Sequence, residues 1–150
     1  MNPIDLLKKH NLIDWPTLIV GLRKGWVKKT DISDYAVKLL SSDLDNDDKN
    51  VALLATADSS PDEEVNELLL KLVFDYDEKK VLDKWMFAKL SELSEAELPE
   101  EETVDRLQKL YGLFDYPEDM ASCSIYAQDS VDPLSAMSNV LSSLKKRLTN

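Results

Sequence analysis

His10 is the only histidine in the 150 residues and Cys123 the only cysteine, so Ser–His or Cys–His nucleophilic catalysis would have to run through one of them. Neither has a suitable setting. His10 lies among Lys8, Lys9 and Asn11, near the end of the first apolar-periodic segment, where a basic side chain complements the negative end of a helix. Cys123 lies in Ala121-Ser122-Cys123-Ser124 with no base beside it, and reads as a buried structural thiol. One histidine and one cysteine also fall short of the three or four N/S ligands of a zinc site.

The carboxylates give no better lead to catalysis. Asp43, Asp45 and Asp47 match ligand positions one, three and five of an EF-hand loop, but Asp48 stands where glycine is required and Leu54 where the bidentate glutamate belongs. Asp75-x-Asp77-Glu78 has the two-carboxylate look of a magnesium site, yet no phosphate-binding loop accompanies it. Gly21, Gly25 and Gly112 do not fit the spacing of one. Nothing among the 29 acids singles out a pair for glycoside chemistry. No catalytic residue, cofactor or metal is expected.

Binding chemistry is better represented. Asp115-Tyr116-Pro117-Glu118-Asp119-Met120 sets an aromatic and an apolar side chain among three acids, a mix suited to gripping a basic surface with an apolar centre. An ordinary proline turn is the competing reading. Asp43, Asp45, Asp47 and Asp48 form a second acidic cluster, and Glu100, Glu101 and Glu102 a third. The remaining aromatics, Trp15, Trp26, Trp85 and Tyr111 among them, recur at helical spacing and read first as core.

The net charge of −11 is concentrated: residues 41–134 hold 25 of the 29 acids. Such a field opposes binding to nucleic acid, which needs phosphate-neutralising cations, and docking on anionic lipid. It attracts a basic protein and speeds encounter with it. It also serves plain solubility. No run approaches the ~18 apolar residues of a membrane span, and the first residues do not resemble a secretion signal. With a single cysteine, the expected location is the cytoplasm.

The elements that must position these groups are helices. Glycine contributes only three residues, and leucine, lysine, glutamate and aspartate dominate, which favours helix over strand. The six prolines punctuate the chain near helix starts, where a missing N–H costs nothing. Segments open at Asn2-Pro3, Asp14-Trp15-Pro16, Thr30-Asp31, about residue 47, Ser60-Pro61, Leu98-Pro99 and Asp132-Pro133, with another helix carrying Val81, Trp85, Met86 and Leu90. Ser60-Pro61-Asp62-Glu63 has the form of a capping box. Gly25 and Gly112 are placed to end helices. The expected fold is all-α, a single domain spanning 1–150, built as a bundle or short superhelical stack of about seven to eight helices.

The chain resembles a family of small bacterial proteins long catalogued as a domain of unknown function, some of them encoded beside LXG-type polymorphic toxins and regarded as their antitoxins. The resemblance rests on Asp14-Trp15, Gly21-Leu22, Gly25-Trp26 and Ile32-Ser33-Asp34-Tyr35-Ala36. It continues in Lys84-Trp85 with Leu90, Tyr111 and the 115–120 segment with Tyr126 behind it. It implies an immunity protein that neutralises a cognate toxin, one with a basic nuclease-type domain, by stoichiometric binding. The expected contact residues are Asp43, Asp45, Asp47, Asp48, Glu100, Glu101, Glu102, Asp115, Tyr116, Glu118 and Asp119. A cytosolic helical adaptor is the alternative, and a carboxylate-based enzyme the third reading.

Overall fold

The computed structural model has a proline within one residue of the start of five of the α-helices among the described residues. It describes residues 2–42, 49–73, 75–123 and 132–149. The elements are α1 (Pro3–Lys9), α2 (Trp15–Lys24), α3 (Lys29–Ser42), α4 (Lys49–Leu54), α5 (Asp62–Leu72), α6 (Glu78–Glu95), α7 (Glu100–Leu113) and α8 (Pro133–Thr149), with 3-10 turns at Ala57–Ser59 and Glu118–Cys123. No strand occurs among the described residues. The all-α expectation holds, and Thr17-Leu18-Ile19-Val20, the segment most like a strand in composition, is a buried part of α2.

Asn2 accepts the Asp5 N–H at 2.9 Å ahead of Pro3, and Asp14 accepts the Thr17 N–H at 2.9 Å ahead of Pro16. Asp132 accepts the N–H groups of Leu134 and Ser135 at 3.0 and 3.1 Å around Pro133. These caps satisfy donors that no helix can satisfy internally. Gly25 closes α2 at φ +79°. Its N–H bonds the Leu22 carbonyl and that of Trp26 bonds Gly21, a Schellman arrangement that only glycine adopts without strain.

Three terminus assignments from sequence need correction. Asp31 does not cap α3: it lies inside the first turn and reaches back to the Lys28 N–H at 2.9 Å, so the helix starts two residues earlier. Ser60 does not cap α5. Its hydroxyl donates to the Thr56 carbonyl behind it, because the residue completes the preceding 3-10 turn. The start of α5 is held instead by Lys29, whose Nζ reaches the Ser60 carbonyl at 2.8 Å and Asp62 at 3.0 Å. Gly112 does not end α7, which continues to Leu113. The left-handed residues there are Asp115 and Tyr116, at φ +62° and +54°.

The chain gathers into two compact units, residues 13–78 and residues 1–12 with 79–150. In the first, α2 packs on α5, and α3 on α4 and the 57–59 turn. Leu18, Ile19, Ile32, Leu54, Val65 and Leu69 form its core. Trp15 and Tyr35 meet edge to face at 4.8 Å, and Ser33 donates to the Ala55 carbonyl. In the second unit α8 packs on the 118–123 turn and on α7. Its core includes Leu6, Leu7, Trp85, Leu90, Leu107, Met120 and Leu144. No helix among the described residues is long and apolar enough to cross a membrane.

Candidate partner-binding face on the seventh helix

α7 opens with three acids, Glu100, Glu101 and Glu102, all exposed and placed where the helix dipole stabilises negative charge. It is followed by the Asp115–Tyr116 corner. Two of the three acidic clusters named from sequence therefore lie at opposite ends of one helix, about 20 Å apart by helix rise. The third, Asp43, Asp45, Asp47 and Asp48, lies outside the described residues.

A stripe on α7 connects its two ends. Glu101, Asp105, Gln108 and Gly112 follow one another at spacings of four, three and four, so Gly112 returns to within ~20° of Glu101 after three turns. Along the N-terminal part runs an open groove of about 540 Å³, lined by Pro99, Glu101, Glu102, Val104, Asp105 and Gln108. At its far end the Tyr116 side chain lies over Gly112: a Cβ there would sit 3.5 Å from the tyrosine hydroxyl. That is ordinary van der Waals contact, and the turn itself is made at Asp115 and Tyr116, three and four residues later.

Backbone geometry fixes Tyr116. Its N–H bonds the Tyr111 carbonyl at 2.9 Å, and the two rings meet edge to face at 5.1 Å. Tyr116 is nevertheless 67% exposed, and Asp115 and Glu118 beside it are exposed too. Two successive non-glycine residues in the left-handed region carry strain. The return on that strain is an aromatic ring standing in solvent between carboxylates.

Asp119 is differently placed. Its carboxylate meets Arg147 at 3.4 Å and Lys79 at 3.5 Å, and the same two cations meet Asp83 at 3.2 and 3.5 Å. This ring of four alternating charges ties α6, the 118–123 turn and α8 together. Asp119 is therefore engaged within the fold, while Asp115 and Glu118 face outward.

The residues tested for catalysis have structural surroundings. His10 is the C-terminal cap of α1, its ring edge-on to Phe87 at 5.2 Å. Burial, then the charges of Lys145 and Lys9, lower its pKa from the ordinary value, against an opposing pull from Glu95. Cys123 is buried, and desolvation raises its thiol to about 11. Its carbonyl accepts from Gln108 at 2.8 Å, which anchors the 118–123 turn to α7. Among the described residues no three His, Cys, Asp or Glu side chains are grouped to hold a metal. Sequence reasoning passed over Asp105, Gln108 and Gly112, although their helical spacing from Glu101 was there to read.

The family model described as an uncharacterized protein conserved in bacteria (DUF2247) matches residues 4–150. No curated protein and no solved structure matches the chain.

Proposed function

We propose that this chain, which belongs to the uncharacterized bacterial family spanning it almost end to end, is an immunity protein: a cytoplasmic binder, not an enzyme, that neutralises a cognate toxin by tight stoichiometric binding. The observation that carries the reading is the α7 stripe, acids along a groove with an exposed tyrosine held at its end. A nuclease-type toxin domain must present a basic groove to hold phosphates. Glu101, Glu102 and Asp105 present carboxylates along the groove, Glu102 pairing with Arg106 and Asp105 with Lys109, and the net negative charge of the chain steers encounter with a basic partner. Tyr116 supplies the aromatic anchor that dominates affinity at the centre of such interfaces. The strained corner fits this role, because a rigid ring loses little conformational freedom on docking.

The test is co-expression with each gene neighbouring this one in its own bacterium, followed by purification at low and high salt. The expected result is relief of toxicity and a one-to-one complex with a basic domain, weakened by salt and by Tyr116→Ala. Toxicity unrelieved, or a partner without a basic domain, overturns the proposal and favours a helical adaptor.

A further inference from the structure

The charged residues of α7 line two separate concavities. Glu101, Glu102 and Asp105 line the groove already described, whereas Arg106 and Lys109 line a second cavity of about 290 Å³ between α7 and α6. The α6 wall is Lys89, Leu93 and Ala96, the α7 wall Arg106, Lys109 and Leu110, and Glu92 completes the lining. The spacing accounts for the arrangement: 89, 93 and 96 form one ridge, 106, 109 and 110 the other. Three cations thus meet around an apolar floor in a chain whose net charge is −11.

The cations are held loosely. Arg106 pairs with Glu102 at 2.9 Å and Lys109 with Asp105 at 3.4 Å, each one turn back along the same helix and each well exposed. Exposed pairs of this kind contribute little and exchange readily for a better partner. Lys89 is half-buried, and desolvation lowers its pKa from the ordinary lysine value despite the nearby Glu92. Leu93 is buried and Leu110 half-buried, so an apolar group resting on them leaves water.

We propose that the α6–α7 cavity binds a small organic anion, an oxyanion headgroup on an apolar body, with the headgroup held by Arg106, Lys109 and Lys89 and the body resting on Leu93, Ala96 and Leu110. The volume is at the small end of ligand pockets and suits a small guest. This inference does not depend on the immunity reading, and its test needs no partner protein.

The probe is 8-anilino-1-naphthalenesulfonate, an apolar body with one anionic headgroup, followed by fluorescence and compared with its uncharged analogue N-phenyl-1-naphthylamine. Saturable one-to-one binding of the sulfonate is expected, weakened at least tenfold in Arg106→Gln/Lys109→Gln with far-UV circular dichroism unchanged. The uncharged analogue should change less than twofold. Displacement by octanoate and by octyl phosphate then tells carboxylate from phosphate preference. The pair Lys24→Gln/Lys28→Gln removes the same net charge elsewhere and should leave binding intact. Non-saturating fluorescence overturns the proposal. So does equal affinity in the Arg106/Lys109 variant, an equal loss in the control pair, or an equal loss of the uncharged analogue.

Discussion

A single histidine gives a single imidazole to follow, and His10 makes the first residue-scale prediction. Burial and the positive charges of Lys145 and Lys9 favour its neutral form, so its NMR titration midpoint should fall below the ordinary 6.5. The sign for stability follows. As pH falls through 6.5 the unfolded chain takes up the proton before the folded one, so stability declines from there to the folded pKa and levels below it. His10→Asn should flatten that decline in thermal melts, and a folded midpoint at or above 6.5 would reject the account. Cys123 makes the second prediction. With the thiol near 11, about one molecule in a thousand is thiolate at pH 8, so a disulfide reagent should react slowly with the native protein and promptly after denaturation. Both residues were legible in sequence as structural, from their neighbours and from the lack of partners. The engagement of Asp119 was not. Its cations are Lys79 and Arg147, forty residues before it and 28 after, and a pairing across that separation leaves no local pattern.

At the scale of elements, the helices were readable because the signals that form them are local: prolines at the starts, apolar residues at three and four, a glycine after α2. The capping box at Ser60 misled for the converse reason. A hydroxyl has more than one backbone group within reach, and the preceding turn claimed it. Gly112 misled because a glycine near a helix end need not be the residue that turns the chain, and here the left-handed positions fall at Asp115 and Tyr116. Two variants probe how elements are joined. Asp83 is 9% exposed at its side chain and bonds both Lys79 and Arg147. Asp83→Asn should cost about 1–2 kcal/mol in denaturant unfolding, the modest value reflecting two partners that still reach water. Asp115→Gly relieves one of the two left-handed residues after α7 and should stabilise the fold by up to ~1 kcal/mol. If the corner exists to present Tyr116, the same variant should bind the toxin more weakly. Stabilisation with unchanged binding would separate the strain from function.

The whole molecule carries a field that no single residue explains. Charge reversal at Glu101, Glu102 and Asp105 should slow association with a basic partner several-fold at low salt and flatten the salt dependence of the rate, while leaving dissociation far less affected. Equal rates for wild type and variant at low ionic strength would remove electrostatic steering from the mechanism. The charge distribution behind this prediction was plain in the sequence, but the concavities that the charged residues of α7 line emerge only once its neighbours are in place.

The second unit begins at the start of the chain, breaks off after residue 12 and resumes at residue 79. A ribosome synthesises from the N-terminus, so α1 emerges well before the rest of the unit it belongs to. At ~5–20 residues per second, α6 follows α1 after on the order of ten seconds, and α8 later still. Residues 13–78, by contrast, are complete before residue 79 is made. Throughout that interval Ile4, Leu6 and Leu7 have no core to enter. Asp5, Lys8 and Lys9 break up the short apolar face they form, which keeps the waiting segment from adhering to other nascent chains. The unit whose first helix is made before residues 13–78 is the one whose core closes after them.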